Sequence, residues 1–259
     1  MQVWAVTYDQ SEIPEQLFQS SLLLVDPSAQ ARIKRYYHRE DACRTLIGRL
    51  MPRILLKERG VERDAMAFGA TDAGKPYITT KGLDPPLAYN VTHDQGVVAM
   101  AFGNGHLGPP AYTIGVDVMK VHIPPRTTFL SFVDSVGSQL TAREHDTLLV
   151  DVAEDEALRR FFWIWTMKEA YTKALGLGLG FDFCRIEYDA VSDTLTIDGQ
   201  IPKGWQFVKF QLTHDGALYQ GVAARLVGGH GTEISNISQQ RLSHYSAACF
   251  VKRAIKELK

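Results

Sequence analysis

An apolar stretch of the chain carries a carboxylate and an ammonium one helical turn apart. The run FFWIWTMKEAYTKALG covers residues 161–176, and helical spacing places Trp165, Glu169 and Lys173 in one i, i+4 column. Ionised groups flanked by so many aromatic rings lose water and need partners. The pattern therefore indicates a polar site, whereas Glu169 and Lys173 taken alone, without a second acid, favour an ordinary surface pair.

A second acidic residue lies on a predicted strand. In the segment IGVDVMK, residues 114–120, apolar residues alternate, so Asp117 shares a face with Gly115 and Met119 rather than with the apolar side chains. Two carboxylates on separate elements, Asp117 and Glu169, suit a hard cation that grips a phosphate, with a lysine beside it.

Composition limits the class of protein. The 259 residues contain 28 Lys and Arg against 29 Asp and Glu, so no charge excess argues for nucleic acid or a membrane as partner, and any anion site must be local. Three cysteines match no zinc or disulfide spacing and indicate reduced thiols in a cytosolic protein. Neither a secretory signal nor a transmembrane run is expected from the sequence.

Hydrophobic periodicity predicts helices and strands in the first half. The predicted elements are a strand over 3–8, a helix over 14–24, a helical stretch over 29–59, and strands over 67–70, 76–79, 87–91 and 97–102. Pro52 should kink or divide the helical stretch because it lacks a backbone donor. Residues 92–96, THDQG, are interpreted as the hairpin turn between the last two strands.

The second half is predicted to follow a glycine- and proline-rich boundary at residues 103–110. Its predicted elements are the Asp117 strand, a helix begun by a capping box of Thr141 and Glu144, the long apolar helix ending at Gly176, and strands over 183–188, 194–197, 207–213 and 217–226. The tail over 237–259 resembles a basic amphipathic helix. We interpret it as a solvated surface helix in preference to a helix that binds a membrane or a partner. The domains expected are 1–108, 109–236 and 237–259.

A short internal sequence repeat suggests that the two halves of the chain are related. THDQG at 92–96 recurs loosely as THDG at 213–216, each between predicted strands. Two similar α+β halves would explain the repeat, but Asp and Gly also favour tight turns by themselves. The run GLGLG at 176–180 follows a helix rather than a strand, so it is interpreted as a helix stop and not as a dinucleotide loop.

Five motifs together carry a family resemblance. They are RTLIG at 44–48, GKPY at 74–77, NVTH at 90–93, GVDVM at 115–119 and WTMKEAYTK at 165–173. In this order they resemble 4′-phosphopantetheinyl transferases of the large, surfactin-synthetase-activating type. Many bacterial members place a third acid at the position of Met119, and this departure resembles fungal and animal members. Because a thioether is a poor ligand for a hard cation, a water is predicted in its place.

The resemblance implies a fold and an activity. The fold would be α+β, a pseudo-two-fold pair of similar halves, each with an antiparallel-rich sheet packed by helices, with coenzyme A bound between them. The enzyme would transfer 4′-phosphopantetheine from coenzyme A to a serine of an acyl- or peptidyl-carrier protein and release adenosine 3′,5′-bisphosphate. A monomer is expected, since paired halves complete the site within one chain. The alternative is a non-enzymatic module that binds coenzyme A or a carrier protein.

The resemblance also implies roles for catalytic residues. Asp117 and Glu169 would hold Mg²⁺, with Mn²⁺ as the other possible ion, and Lys173 would add a positive charge beside the diphosphate. Glu169 is also the candidate to accept the serine proton, directly or through a water. Metal coordination lowers the basicity of a carboxylate, so these two roles compete.

Further residues would bind the nucleotide and the carrier. By resemblance, Thr92 and His93 would contact the phosphates, and a clamp on the 3′-phosphate would be formed by Lys75, Arg44 and Arg32. Lys75 would be aimed by a rigid turn between Gly74 and Pro76. Many relatives carry a lysine at Ala29, so part of the clamp is missing or supplied elsewhere. The loop over 122–133 is a candidate docking surface for an acidic carrier, although core packing of Phe129 and Phe132 is an equal alternative.

Overall fold

The computed structural model describes residues 1–177 and 180–259. The helices in this part of the chain are α1 (Glu15–Leu22), α2 (Pro27–Ile33), α3 (Arg39–Glu58), α4 (Phe129–Ser135), α5 (Ala142–Leu149), α6 (Glu154–Leu175) and α7 (Ala247–Leu258). The strands are β1 (Gln2–Thr7), β2 (Phe68–Ala70), β3 (Pro76–Ile78), β4 (Leu87–Asp94), β5 (Val97–Asn104), β6 (Ile114–Lys120), β7 (Ile186–Asp189), β8 (Thr194–Ile197), β9 (Trp205–His214), β10 (Ala217–Leu226), β11 (Glu233–Asn236) and β12 (Leu242–Ser246). None of the helices described is long and apolar enough to cross a membrane.

Two four-stranded sheets form the framework, with strand orders β12-β1-β5-β4 and β11-β9-β10-β6. Their neighbouring strands run antiparallel, except that β12 joins β1 and β11 joins β9 in parallel. Two smaller antiparallel sheets are formed by β2 with β3 and by β7 with β8. The predicted α+β class with antiparallel-rich sheets is confirmed.

The two halves repeat one order of elements. The first half runs β1, α3, the β2-β3 sheet and the β4-β5 hairpin, and the second runs β6, α6, the β7-β8 sheet and the β9-β10 hairpin. In each half the opening strand pairs antiparallel with the second strand of the hairpin, β1 with β5 and β6 with β10. The repeat in the sequence therefore falls on equivalent hairpins, which supports the predicted pair of similar halves.

The first hairpin turn is shorter than predicted. β4 extends to Asp94, and Gln95 and Gly96 form the turn, with Gln95 in the left-handed region at φ 44°. Thr92 and His93 therefore lie on the strand and not in the turn, because their pairing with Ala99 and Val98 continues the ladder. As successive strand residues, they point to opposite faces of the sheet.

Side chains that point alternately to the two faces of each strand contribute to three separate hydrophobic cores. On β5, Val98, Met100 and Phe102 pack with α1, α2, α3 and α7, whereas Val97, Ala99 and Ala101 belong to an apolar cluster between the two sheets. On the far side of the second sheet, a further core contains residues of α4, α5 and α6. The order of layers is thus helices, sheet, sheet, helices, which covers both apolar faces of each sheet.

The tail belongs to the first half, contrary to the separate helix predicted over 237–259. β12 pairs in parallel with β1, and the helix starts only after Ser246, whose side chain accepts a hydrogen bond from Cys249 N. Phe250 and Val251 of α7 are fully buried in the first core. The apolar face that made the tail look amphipathic is therefore covered by the protein itself.

The helix carrying Pro52 is not divided there. α3 continues through Pro52 to Glu58, and the break in the predicted helical stretch comes earlier, between α2 and α3. Residues on both sides of the proline, including Met51 and Ile54, are fully buried. Tertiary packing thus holds the helix in spite of the missing donor.

Candidate active site

The close approach of α6 to β6 forms the site. A Cβ atom added at Gly115 would lie 2.1 Å from the carbonyl oxygen of Ala170 and 2.3 Å from the amide nitrogen of Ala174, so glycine is required for this contact. Asp117 follows on the same face of β6, as the sequence predicts. The contact thereby places Asp117 beside the turn of α6 that carries Glu169 and Lys173.

Asp117 is the centre of a hydrogen-bonded group from both halves. Its Oδ1 accepts a hydrogen bond from Lys173 Nζ at 2.5 Å and another from the Thr92 hydroxyl at 3.1 Å. Lys173 Nζ also donates to Thr92 Oγ1 at 3.2 Å. Lys173 is thus paired with Asp117 on another element rather than with Glu169 on its own helix.

The second oxygen of Asp117 is buried without a partner. Asp117 is only 4% exposed, and its Oδ2 accepts no hydrogen bond. Burial raises the pKa of Asp117, although the ammonium of Lys173 acts in the opposite direction. A buried carboxylate oxygen without a donor is unfavourable unless a cation occupies it.

Glu169 supplies the second carboxylate. Burial raises the pKa of Glu169, Lys173 lowers it, and the nearby Asp117 raises it further by charge repulsion. Two carboxylates whose pKa values are both raised by burial, one of them with an unpartnered oxygen, fit a divalent cation. In the described part of the chain, no cluster of three or more His, Cys, Asp or Glu could hold a metal. Mg²⁺ fits this donor set, since it takes few carboxylates and completes its shell with phosphate and water.

Side chains of β4 hold the two halves together at this point. Asn90 Oδ1 accepts a hydrogen bond from Val116 N at 2.9 Å, and Asp94 Oδ2 accepts one from Lys120 N at 2.7 Å. Thr92, midway between them, donates to Asp117. Alternate residues of β4 thus fix the register of β6 against the first half, which positions Asp117.

The opposite face of β4 borders a basic cavity of about 200 Å³. His93, Arg32 and Arg44 all line it, so the structure brings these three predicted residues together. Desolvation, Arg44 and Lys173 lower the pKa of His93, which favours a neutral imidazole. The Arg44 guanidinium is held by Asp41 at 2.6 Å and by the carbonyl oxygen of Gln95 at 2.8 Å.

Two further arginines of this cavity were not predicted. Arg49 and Arg53 lie one turn apart on α3 and also line the cavity. Arg53 is paired with Asp26 at 2.9 Å, and Arg49 makes no ion pair with any described carboxylate. The signal available in the sequence was their i, i+4 spacing, which places both arginines on one face of the helix.

The predicted aim of the Lys75 ammonium is wrong. Lys75 is 8% exposed, and its Nζ donates hydrogen bonds to the carbonyl oxygens of Tyr112 at 2.8 Å and Ala174 at 2.7 Å. The ammonium is therefore bound to the end of α6 and not presented to the basic cavity, whose lining includes Pro76 but not Lys75. Gly74 does form the predicted turn, with φ at 83°.

A buried ion pair next to the site also went unpredicted. The capping box of Thr141 and Glu144 at the start of α5 is confirmed, but Glu144 also accepts a 2.6 Å hydrogen bond from Lys168 Nζ. Lys168 is fully buried and donates to the carbonyl oxygens of Gln139 and Phe183. Every donor of this ammonium is used, so Lys168 fixes α5 to α6.

An apolar cavity of about 220 Å³ adjoins Met119 on the same side of β6. Phe132 and Trp165 line it together with Phe161, whose ring centroid lies 4.7 Å from that of Phe132. Phe129, by contrast, is buried in the core. The loop predicted for docking therefore divides into one packed aromatic and one that lines a cavity beside the site.

The end of α6 agrees with the predicted helix stop. Gly176 caps the helix in the left-handed region, with φ at 71°. Gly178, in the same glycine-rich run, lies outside the described residues.

Comparison with known proteins identifies relatives of the whole chain. A family model described as "4′-phosphopantetheinyl transferase superfamily" matches residues 113–227, and one described as "4′-phosphopantetheinyl transferase, N-terminal" matches residues 12–104. The 4′-phosphopantetheinyl transferase pptA of Paxillus involutus is 58% identical, with 100% of both chains covered.

More distant relatives carry related names. The L-aminoadipate-semialdehyde dehydrogenase-phosphopantetheinyl transferase of Mus musculus is 27% identical over 87% of this chain and 74% of its own length. The 4′-phosphopantetheinyl transferase Sfp of Bacillus subtilis is 27% identical over 68% of this chain and 69% of its own. The relatives at 58% and at 27% identity are thus all named as phosphopantetheinyl transferases.

Proposed function

The chain belongs to the 4′-phosphopantetheinyl transferase superfamily, and on that premise we propose that it transfers 4′-phosphopantetheine from coenzyme A to a serine of a carrier protein with the help of Mg²⁺. In this reaction the serine oxygen forms a bond to the β-phosphorus, the diphosphate bond breaks, and adenosine 3′,5′-bisphosphate leaves. The observation that carries the proposal is the buried, unpartnered Oδ2 of Asp117 beside Glu169.

The residues of the site have distinct tasks in this proposal. Asp117 and Glu169 would hold Mg²⁺, which when bound would neutralise charge on the diphosphate oxygens. Lys173, held on Asp117 Oδ1, adds a fixed positive charge beside the same centre. Glu169 accepts the serine proton, directly or through one water. Thr92 keeps both Asp117 and Lys173 in place through its hydroxyl.

The direct test is the mass of a carrier domain. Incubation of an apo carrier with this protein, coenzyme A and Mg²⁺ should add about 340 Da, the transferred group, and EDTA should abolish the gain. Omitting coenzyme A is the matched control. An unmodified carrier across a panel of carrier domains would contradict the proposal and favour a module that only binds coenzyme A.

The basic cavity is proposed to bind the 3′-phosphate. Arg44→Ala should weaken binding of coenzyme A by about tenfold, because a charge-assisted hydrogen bond to phosphate is lost, while dephospho-coenzyme A is little affected. Isothermal titration with both ligands measures the difference. Arg185→Ala, which removes an exposed guanidinium paired with Asp198, is the control. Equal weakening of both ligands by Arg44→Ala would exclude a 3′-phosphate role.

The apolar cavity beside the site is proposed to receive the carrier's recognition helix. Carrier proteins are acidic with an apolar recognition face, and the loop before α4 adds the exposed Arg126 to the apolar lining. Phe132→Ala should raise KM for the carrier about tenfold without changing coenzyme A binding. Leu130→Ala, on the exposed face of α4, is the matched control. An unchanged KM for Phe132→Ala would assign this ring to packing alone.

The identity of the carrier can be approached through the relatives. The names of the mammalian relatives include L-aminoadipate-semialdehyde dehydrogenase. A carrier domain of that dehydrogenase class therefore belongs in the panel, beside domains of fatty-acid, polyketide and peptide synthesis. All proposed site residues come from one chain, which supports a monomeric enzyme.

A further inference from the structure

A second cationic cavity lies where the ends of the two sheets meet. It has a volume of about 300 Å³ and is lined by Arg59 after α3, by Gly103 and Asn104 at the end of β5, by His106, and by Arg225 of β10. It shares no lining residue with the basic cavity at His93. The ionisable side chains that line it are two arginines and a histidine, Met1 with its amino terminus also lines it, and no described lining residue is acidic.

Arg225 lacks a counterion in the described part of the chain. It forms no ion pair there, and its one side-chain contact is a long 3.5 Å hydrogen bond from Nη2 to Gln206 Oε1. Its Nε is buried with no acceptor. Burial and repulsion from the nearby Arg241 both lower the pKa of Arg225. A half-buried guanidinium without a counterion, whose Nε has no acceptor, is unfavourable unless an anion pairs with it.

The backbone at the end of β5 lies directly against the Arg225 guanidinium. A Cβ atom added at Gly103 would lie 3.0 Å from Arg225 Nη1, so the guanidinium lies against bare backbone at the end of β5. A larger residue there would fill space beside the guanidinium. Glycine in a strand often marks such a close approach of backbone to a ligand or side chain.

We propose that this cavity binds a phosphate dianion, either free phosphate or the phosphate of a monoester. The planar fork of Arg225 matches a phosphate edge, and Arg59 adds a second positive charge to the lining of the cavity. Arg225 belongs to the second half of the chain, whereas Arg59 and Gly103 belong to the first. A bound dianion therefore links the two halves at a place distinct from the transfer site.

Isothermal titration at fixed ionic strength tests this site, with Arg44→Ala as the parent so that binding in the basic cavity is weakened. Inorganic phosphate should still bind at one site, and adding Arg225→Gln should lower the association constant at least about tenfold. Gly103→Val should weaken binding similarly, because a side chain there displaces the Arg225 guanidinium with every charge retained. Arg185→Gln should change nothing. Circular dichroism shows that each variant is folded, and Arg59→Gln replaces any variant that is not.

Glycerol 3-phosphate serves as the second ligand. If it binds at the site that Arg225→Gln removes, the ligand is a phosphate monoester, and if only inorganic phosphate binds there, the ligand is the free ion. Absence of phosphate binding in the parent, or equal affinity with and without Arg225→Gln, overturns the proposal. Either result leaves the transferase proposal untouched, since carrier modification is measured separately.

Discussion

Replacing Glu169 with glutamine should abolish transfer while coenzyme A still binds. Glutamine keeps the shape of the side chain but removes a metal ligand and the candidate base. General base catalysis contributes about 10² to 10⁴-fold and charge neutralisation by a metal several kcal/mol, so a loss of about 10⁴-fold or more in kcat is expected. The basic cavity that is proposed to hold the 3′-phosphate does not include Glu169, so the affinity for coenzyme A should stay within a few-fold.

The measurement is the rate at which the carrier gains mass, with calorimetry for coenzyme A. Glu154→Gln, which neutralises an exposed carboxylate in the first turn of the same helix, is the matched control. Turnover within a few-fold of the parent for Glu169→Gln would remove this residue from the mechanism.

The same variant separates the two roles of Glu169. Mn²⁺ titration followed by electron paramagnetic resonance reports metal affinity independently of turnover. If Glu169→Gln loses turnover but holds Mn²⁺ as tightly as the parent, the carboxylate acts on the serine proton. If Mn²⁺ binding falls with turnover, its main task is to hold the metal.

The strand and helix of the site could be predicted because their signals are local. Alternation around Asp117 fixed the face of β6 on which it lies, and the i, i+4 spacing of Glu169 and Lys173 fixed their common face on α6. The ion-pair partner of Lys173 could not be predicted from this local spacing. Lys173 pairs with Asp117, 56 positions earlier in the chain, and not with Glu169 on its own helix.

The predictions that failed depend on contacts distant in sequence. The GKPY turn was correctly placed, but the direction of Lys75 is decided by the carbonyl of Ala174, 99 residues later. Likewise, the tail was assigned as one helix because nothing nearby in sequence reveals that Leu242 pairs with Val3. Lys168 belongs to the WTMKEAYTK motif, yet its hydrogen bond to Glu144 forms only when α5 packs on α6. Local pattern determines elements, and tertiary packing determines which polar groups remain available.

Replacing Asp117 with asparagine should reduce metal binding and transfer without reducing the stability of the fold. Asparagine loses the charge that a divalent cation requires at Oδ2, so Mn²⁺ affinity should fall about 100-fold and transfer about 10³-fold. Stability should respond differently. Because burial raises the pKa of Asp117 above its unfolded value, ionisation disfavours the folded state as pH rises through the unfolded pKa, and a neutral side chain avoids that cost at neutral pH.

In EDTA, the Tm of Asp117→Asn should therefore equal or exceed that of the parent. Lys173 loses its charged partner, but its side chain is 33% exposed and can be hydrated. Asp146→Asn, at an exposed position of α5, is the control for loss of one charge. A Tm several degrees below the parent in EDTA would show that the Lys173 pair stabilises the fold, and that Asp117 is retained for structure as well as for the metal. An equal or higher Tm with transfer lost would instead mean that this carboxylate is kept buried and ionised for catalysis.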